Sequence, residues 1–339
     1  MSEVVDRTQA AAAAAAAGGE PCLCEGYARV TERAALAAAR WLGRADQEEA
    51  EEAAFSGTEG ALEQMPIEGN IVIGGTEEGD RLPLGGRVGS GGRPVDLALD
   101  PLEGRGVVAR GGYGAMSLIA AGDPGSIPTL PDMYMRKMAV GPVARGRIDL
   151  LRPIADNIEA IADAFGRRPA DITAIVLERP RHHDLIDEIR QAGARIKLIQ
   201  DGDVTASISA AIRGTNDHLA IGIGGTRQAV LAAAALRCLG GGLQAQLWPV
   251  SRREIEAARE AGIDDVAKVF SIDDLAPTEV IFAATGASNG DLLRGVRFLA
   301  DSARTHSLVM CTRCNWVRFV DGVHFFARER REEVRLLGF

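Results

Sequence analysis

The sequence predicts an α/β fold, and three observations support this prediction. Between residues 154 and 239, short apolar runs alternate with segments whose apolar residues recur at helical spacing. Glycine supplies 40 of the 339 residues, which indicates many tight turns. Hydrophobic residues make up 46% and charged residues 25%, ordinary values for a chain that buries a large core. Parallel βαβ winding is the simplest account of the alternation.

The N-terminal part is predicted to begin with a tail and two helices. Residues 1–25 are interpreted as a disordered alanine-rich tail, because eight consecutive alanines end at Ala17 and no basic segment precedes an apolar core as in a signal peptide. A first helix is predicted from Ala28 to Leu42. A second helix is predicted from an Asp46 cap to about Gln64, with acidic residues in its first turns, where the helix dipole favours them.

The remaining elements follow as short runs separated by glycine and proline. Three strands are predicted first: Asn70–Gly74, Val95–Asp100 and Tyr113–Ala121. After Pro142, strands and helices alternate: helix Ile154–Phe165, strand Ile172–Leu177, helix His183–Gln191, strand Arg195–Ile199, helix Val204–Ile212, strand His218–Gly222 and helix Gln228–Leu239. The chain is predicted to end with a strand, Glu279–Ala284, and a hairpin, His306–Phe326.

Charge and hydropathy exclude two classes of partner. The formal net charge is −9 and the pI is near 5.2, so the net field does not attract nucleic acid or anionic lipid. No window reaches the roughly 18 apolar residues that a membrane span needs. We therefore expect neither a nucleic acid nor a membrane as partner.

Five cysteines are present: Cys22, Cys24, Cys238, Cys311 and Cys314. An odd number in a large chain without an export signal predicts reduced thiols and a cytoplasmic protein. Cys311 and Cys314 form a CxxC pair that could bind a metal or cycle between thiol and disulfide. Because Cys22 and Cys24 form only a CxC within the predicted tail, ordinary strand or turn cysteines are favoured over a zinc site.

The strongest local signal for chemistry is Asp100-Pro101-Leu102-Glu103-Gly104, which follows an apolar run. A carboxylate at a strand end and a second one three residues later, across a turn bent by proline, can converge on one hard cation. Such a cation polarises a phosphate and activates water. A simple Asp-Pro turn with a solvated Glu103 is the alternative.

Two further loops carry polar groups at strand ends. Asp201 and Asp203 follow a predicted strand, at the sheet edge where open α/β sheets bind ligands, although one of them could simply cap the next helix. The glycine-rich turn 221–226 allows backbone N–H groups to approach an anion at a helix N-terminus, or is only a tight turn.

Basic residues near these loops are candidate phosphate ligands. They are Arg179 and Arg181, and Arg136 and Lys137. Arginine offers phosphate oxygens a two-pronged hydrogen-bond donor, although most surface arginines are only solvated charges. His182 and its neighbour His183 are interpreted as capping or surface residues rather than metal ligands.

Taken together, these motifs resemble the class II fructose-1,6-bisphosphatase family from about Arg29 to Arg328. The resemblance implies the layered αβαβα fold of the lithium-sensitive sugar phosphatases. The stretches that carry it are Arg29–Glu32, Trp41–Arg44, Ile71–Gly74, Asp100–Gly104, Pro131–Met135, Pro180–His182, Asp201–Val204, Gly222–Gly225 and Gly290–Leu293.

The resemblance implies a divalent cation, Mn²⁺ or Mg²⁺, that positions the 1-phosphate of fructose 1,6-bisphosphate for attack by water. It makes Asp100 and Glu103 metal ligands. It also implies that a phosphorylated sugar is the partner and that the protein is a homo-oligomer. The positions that match the family's substrate contacts are Gly104, Tyr134, Arg179, Arg181, Asp201, Asp203 and Gly225, with Arg179 where the family has lysine.

Against this family pattern, the metal site is altered. Glu51 stands where the second helix usually carries an aspartate, and Gln228 replaces an acid after the glycine turn. The acid expected after Ile-Val-Ile falls at a glycine, Gly74 or its neighbour, so Glu77 or Glu78 would have to replace it from a shortened loop. Fewer ligand charges weaken a site for a hard cation.

Arg105 replaces the threonine that helps to orient the attacking water in the family. Its guanidinium could take the electrostatic place of a cation, so Arg105 is included among the candidate catalytic residues. Residues 26–150 would carry the metal and phosphate site, and residues 151–339 would bind the sugar.

Three functions follow from these substitutions. A sugar-phosphate phosphatase acting by metal-assisted hydrolysis is favoured. A non-catalytic binder or regulatory homologue is the first alternative, since Arg105 could neutralise a phosphate without a metal. A phosphatase for another phosphorylated cyclic polyol is the second.

Overall fold

Two mixed β-sheets lie between three layers of helices in the computed structural model, which describes residues 22–75, 81–276 and 278–326. The predicted α/β class and the layered αβαβα arrangement are confirmed. The alanine run and Glu77 lie outside the described residues.

The described helices are α1 (Cys24–Ala38), α2 (Gln47–Leu62), α3 (Arg105–Arg110), α4 (Ile154–Phe165), α5 (His183–Gln191), α6 (Asp203–Ala211), α7 (Thr226–Leu239), α8 (Arg252–Glu260) and α9 (Ile272–Leu275). The described strands are β1 (Ile67–Ile73), β2 (Arg87–Val88), β3 (Arg93–Glu103), β4 (Met116–Gly122), β5 (Tyr134–Val140), β6 (Thr173–Leu177), β7 (Arg195–Ile199), β8 (Leu219–Gly225), β9 (Gly242–Leu247), β10 (Val269–Ser271), β11 (Val280–Gly286), β12 (Arg297–Phe298), β13 (Ser302–Cys311) and β14 (Trp316–Phe325). None of these helices is long and apolar enough to cross a bilayer.

The large sheet has the order β12-β13-β11-β4-β3-β1-β2, with β14 paired to β13. Every residue of β4 is buried, because both faces of this central strand are covered. The pairing of β3 with β4 shifts register between Asp100 and Glu103. Such a bulge bends a strand and re-aims its side chains, and here it interrupts the ladder at the predicted metal-binding motif.

The small sheet has the order β10-β9-β5-β8-β6-β7 and lies between two segments of the large sheet in the sequence. The predicted parallel winding is confirmed for the three strands it concerned, because β6 pairs in parallel with both β7 and β8. Strand β5 runs antiparallel to both β8 and β9, and the sequence analysis missed β5 and β9. The boundary that the sequence analysis placed after residue 150, between the metal and phosphate part and the sugar-binding part, falls within the small-sheet segment, between β5 and β6.

Three apolar layers hold the sheets and helices together. Helix α1 covers the outer face of the large sheet through residues such as Tyr27 and Val30. Helices α6 and α7 fill the space between the sheets, with Leu231 and Leu236 fully buried. Helices α4 and α5 cover the outer face of the small sheet through Ile158 and similar residues.

The first helix begins earlier than the sequence analysis predicted. It starts at Cys24, which is buried, so Cys22 and Cys24 do not belong to a disordered tail. The Asp46 cap is confirmed, because its Oδ1 accepts a hydrogen bond from the Glu49 backbone N–H at 3.1 Å.

Candidate active site

A cavity of about 690 Å³ opens where the bulge of β3 meets the N-termini of α6 and α7. Elements from both sheets and helix α2 form its walls. Its lining includes twelve candidate site residues, whereas Arg136 and Lys137, also named as candidate phosphate ligands, do not line it: the twelve are Glu51, Asp100, Glu103, Gly104, Arg105, Tyr134, Arg179, Arg181, Asp201, Asp203, Gly225 and Gln228. Residues up to 177 positions apart in the sequence are therefore neighbours of one solvent-filled space, as follows from the separation of Glu51 and Gln228 (228 − 51).

Glu103 is tied to the start of helix α6. Its Oε1 accepts a hydrogen bond from the Val204 N–H at 2.8 Å, and its Oε2 accepts from the Thr205 hydroxyl at 2.8 Å and N–H at 3.3 Å. A carboxylate at this position satisfies N–H groups that lack partners within the helix and is favoured by the helix dipole. Glu103 therefore stabilises the start of α6, in addition to its predicted role as a metal ligand.

Asp100 lies at the start of the bulge, beside helix α7. Its Oδ2 accepts a hydrogen bond from Gln228 Nε2 at 3.3 Å. Burial raises the pKa of Asp100 to about 6, and the nearby charges of Asp201 and Glu51 act in the same direction. Burial, together with the charge of Asp100, raises the pKa of Glu103 to about 8. The carboxylates therefore repel one another, and a bound cation would relieve this repulsion.

The donor chemistry of this wall fits a divalent cation. Asp100 and Glu103 offer carboxylate oxygens, and Gln228 offers an amide oxygen, the ligand types that Mg²⁺ and Mn²⁺ prefer. The third carboxylate, Glu51, accepts a hydrogen bond from Arg105 at 2.5 Å instead. Among the described residues, these acids do not form a compact group of three ligand atoms.

Arg105 directly follows a glycine whose backbone has the left-handed conformation. Gly104 caps helix α3 with a φ of 93°, a conformation that glycine adopts without strain. The turn directs the chain into α3, with Arg105 as its first residue. A guanidinium consequently lies beside Glu51.

The opposite wall contains a buried ion pair that the sequence analysis did not identify. Lys137 of β5 is 5% exposed, and its Nζ donates to Asp203 Oδ2 and, at 3.3 Å, to the Gly225 carbonyl. A Cβ atom on Gly224 would clash with Asp203 Oδ2 and lie 2.9 Å from Lys137 Nζ. Only glycine leaves room for this pair. One Asp203 oxygen is therefore fixed.

Two arginines line the outer part of the cavity. Arg181 donates to the Ile223 carbonyl at 2.9 Å, and its guanidinium stacks over the Tyr134 ring at 4.9 Å. Arg179 donates to the Gln200 carbonyl at 2.5 Å. Arg181 is exposed and Arg179 is partly exposed, and both line the cavity.

His182 occupies the N-cap position of α5 but, contrary to the sequence analysis, its side chain neither caps the helix nor lies on the surface. It is 1% exposed; its Nδ1 donates to the Leu177 carbonyl at 2.7 Å, so its Nε2 accepts from the Ile223 N–H at 2.8 Å. Burial lowers its pKa, which keeps the ring neutral. His182 thus joins β6 to β8 below the two arginines.

The cavity also contains two arginines that the sequence analysis missed. Arg227, the second residue of α7, donates to the Gly74 carbonyl at 2.5 Å, and Arg81 pairs with Glu52 and Glu59 of α2. The position of Arg227 directly after the glycine-rich turn was an available signal. The position of Arg81 was not, because it depends on contacts distant in sequence.

Comparison with known proteins places these features in one family. The sequence model of the family described as bacterial fructose-1,6-bisphosphatase, glpX-encoded, matches residues 22–324. A protein of Synechococcus sp. (strain JA-3-3Ab), named D-fructose 1,6-bisphosphatase class 2/sedoheptulose 1,7-bisphosphatase, is 42% identical over 326 residues, covering 87% of this chain and 93% of that protein. A protein of the same name from Thermosynechococcus vestitus is 39% identical over 329 residues, covering 88% and 95%.

Proposed function

Since the chain belongs to the bacterial fructose-1,6-bisphosphatase family, we propose that it is a phosphoric monoester hydrolase that acts on fructose 1,6-bisphosphate. Water attacks phosphorus, the phosphorus–oxygen bond to the sugar breaks, and the sugar oxygen takes a proton. The products are inorganic phosphate and the sugar monophosphate. The observation that carries the proposal is the convergence of twelve candidate residues, including Asp100, Glu103 and Arg181, on one cavity.

The two ends of this cavity suit the two phosphates of the substrate. The carboxylates of Asp100 and Glu103, with the Gln228 oxygen, would hold a divalent cation, Mn²⁺ or Mg²⁺. When bound, the cation polarises a phosphate oxygen and lowers the pKa of a water molecule. At the other end, Arg179 and Arg181 bind the phosphate that does not react, through charge-assisted hydrogen bonds.

The sugar lies between these ends. Asp201 and Asp203 accept hydrogen bonds from its hydroxyl groups, and the side chain of Tyr134 lies against it. Lys137 fixes one oxygen of Asp203 and leaves the other for the substrate. Side chains that are held in position before binding cost less entropy when the substrate arrives.

A non-catalytic sugar-phosphate binder is a second candidate, favoured by one observation. The Arg105 guanidinium already pairs with Glu51, so a positive charge occupies part of the region that a cation would neutralise. In that case, the arginines would bind a phosphate ester without hydrolysing it.

Phosphate release by the purified protein tests the proposal. Release from fructose 1,6-bisphosphate should require Mn²⁺ or Mg²⁺, should stop on addition of a chelator and should be lost in Asp100→Asn. Asp163→Asn, an identical change at an exposed position of α4, serves as the control and should keep full activity. Undiminished release by Asp100→Asn would contradict the mechanism, and binding without release in any metal would support the non-catalytic binder.

A further inference from the structure

Four cysteines meet at one corner of the large sheet, although 287 residues separate the two pairs (311 − 24). Cys22 precedes helix α1, Cys24 is its first residue, Cys311 ends β13 and Cys314 lies in the turn before β14. Their four sulfur atoms all lie within 4.8 Å of one another. No other group of His, Cys, Asp and Glu side chains within the described ranges is gathered so closely.

The spacing of these sulfurs approaches a tetrahedron of metal ligands. Four sulfurs at about 2.3 Å from a central zinc ion are about 3.8 Å apart. The Sγ atoms of Cys22 and Cys311 are 3.7 Å apart, as are those of Cys24 and Cys314. Cys22 and Cys24 are closer, with their sulfurs 2.6 Å apart. Side-chain rotation that increases this distance by roughly 1 Å would complete the tetrahedron.

The surroundings also suit thiolate ligands. The Cys314 backbone N–H points at Cys311 Sγ at 3.4 Å, the kind of interaction that orients a metal ligand from its outer shell. A dication at the centre of the four sulfurs would stabilise them as thiolates, the form in which cysteine binds a metal.

An adjacent cavity gives a metal ion access to the cluster. It has a volume of about 340 Å³, and Cys22 and Cys311 lie in its wall. The cluster is remote from the active site along the sheet. Cys311 is paired with Ile281 near the Gly122 end of β4, whereas Asp100 and Glu103 pair with Leu118 and Met116 towards its other end.

We propose that Cys22, Cys24, Cys311 and Cys314 bind one zinc ion as four thiolates. Four-coordinate sites of this kind leave no open position for substrate, so the site is structural. The ion joins the segment before α1 to the β13–β14 hairpin and thereby fixes α1 on the outer face of the large sheet. The four thiols lose their protons to solvent on binding, and no oxidation takes place.

Metal analysis of the full chain, purified under reducing conditions, tests this proposal. We expect about one zinc per chain, the content of a single four-thiolate site. Cys22→Ser and Cys314→Ser, both at half-buried positions, should lose most of it. Cys238→Ala is the matched control, because Cys238 lies outside the cluster, and it should keep its zinc. Asp100→Asn should also keep it, which separates this site from the proposed active-site cation.

Two further measurements start from the wild-type chain, so the test does not depend on variants alone. Replacement of zinc by Co²⁺ in the wild-type chain should give the intense sulfur-to-cobalt charge-transfer absorption bands that are typical of tetrahedral coordination by thiolates. A strong zinc chelator should lower the melting temperature of wild type and leave that of Cys314→Ser unchanged. A chain with no zinc after zinc addition, disulfide-linked cysteine peptides in the unreduced protein, or equal zinc in Cys314→Ser would overturn the proposal.

Discussion

Glu103 illustrates, at the scale of single residues, how one carboxylate links the fold to the candidate site. Its oxygens accept hydrogen bonds from the start of α6, so this side chain positions Asp203 and its neighbours as well as facing the cavity. Removal of Glu103 would therefore disturb both walls. Asp100 is the cleaner probe of the proposed cation, because the only hydrogen bond described for its side chain is to Gln228.

The raised pKa values predict how a cation changes stability with pH. Asp and Glu in unfolded chains have pKa values near 4, below the values of about 6 for Asp100 and about 8 for Glu103 in the fold. Between these values the folded state binds more protons, so stability without a cation is present at about pH 4 and is lost as the pH rises through 6 and 8. A cation replaces these protons, so we expect saturating Mn²⁺ to raise the melting temperature more at pH 8 than at pH 6.

Melting curves with Mn²⁺ and with chelator, at constant ionic strength, measure this difference. Asp100→Asn removes one of the two titrating groups and should reduce the dependence on pH. If Mn²⁺ raises the melting temperature of wild type equally at both pH values, neither carboxylate binds the cation.

Arg105 provides a second prediction at this scale. Its guanidinium lies beside Glu51, so Arg105→Ala removes a positive charge from the region of the proposed cation. We expect Mn²⁺ to bind about tenfold more tightly, equivalent to about 1.4 kcal/mol. Isothermal titration calorimetry measures the affinity.

Arg110→Ala is the control for Arg105→Ala, since it removes the same charge from the same helix α3, where Arg110 contacts Gln200. Equal effects of the two variants would mean that only the net charge matters. A weaker affinity in Arg105→Ala would mean that Arg105 supports the site rather than competing with the cation.

How far the site could be predicted from the sequence also depends on single residues. Asp100 and Glu103 were identifiable because both lie in one short motif. The pairing of Lys137 with Asp203 was not, because it depends on the antiparallel register of β5 and β8, which places Lys137 opposite Gly222. The burial of His182 likewise depends on Ile223, 41 residues away.

At the scale of elements, local periodicity determined which predictions were accurate. Helices Ile154–Phe165 and His183–Gln191 were predicted with the observed bounds, because their apolar faces are continuous and glycine or turns follow them. Strand β5 was missed because Met135, Lys137 and Ala139 do not form a simple alternation of apolar and polar residues. Its two antiparallel neighbours cover both edges, information that no local pattern contains.

Helix α2 allows a matched prediction about packing. Gly57 lies where α2 crosses α1, and a Cβ atom there would be 2.7 Å from the Arg33 carbonyl oxygen. Gly60 in the same helix has no atom within 4 Å of such a Cβ. We expect Gly57→Ala to lower the free energy of unfolding by about 1–3 kcal/mol through overpacking, and Gly60→Ala to raise it by about 1 kcal/mol through helix propensity.

Urea denaturation of both variants measures these changes. The substitution and the helix are the same, so propensity alone predicts a gain in both. Stabilisation by Gly57→Ala would show that α1 and α2 do not approach each other so closely. A loss in Gly60→Ala would contradict the open space beside that position.

At the scale of the whole molecule, the two sheets are interleaved along the chain. Strands β1–β4 and β11–β14 form the large sheet, and all strands of the small sheet lie between them in the sequence. A truncated chain that ends at residue 276 therefore lacks β11 and β13, on which α1 packs, and leaves one edge of β4 unpaired.

We expect this truncated chain to show no cooperative thermal transition and to bind the dye ANS, since part of the apolar face of α1 and one edge of β4 would be uncovered. Calorimetry and dye fluorescence, with the full chain as reference, measure this. A cooperative transition in the truncated chain would mean that the first four strands and the small sheet fold without the C-terminal strands.

The same interleaving determines how long after α1 the strands β11 and β13 are synthesised. Helix α1 emerges from the ribosome among the first elements, whereas β11 begins about 240 residues after α1 ends. At roughly 5–20 residues per second, that separation corresponds to about 12–50 s of translation. Throughout this interval the part of the apolar face of α1 that packs on β11 and β13 has no native partner, and it is open to chaperones and to other nascent chains on the same messenger RNA.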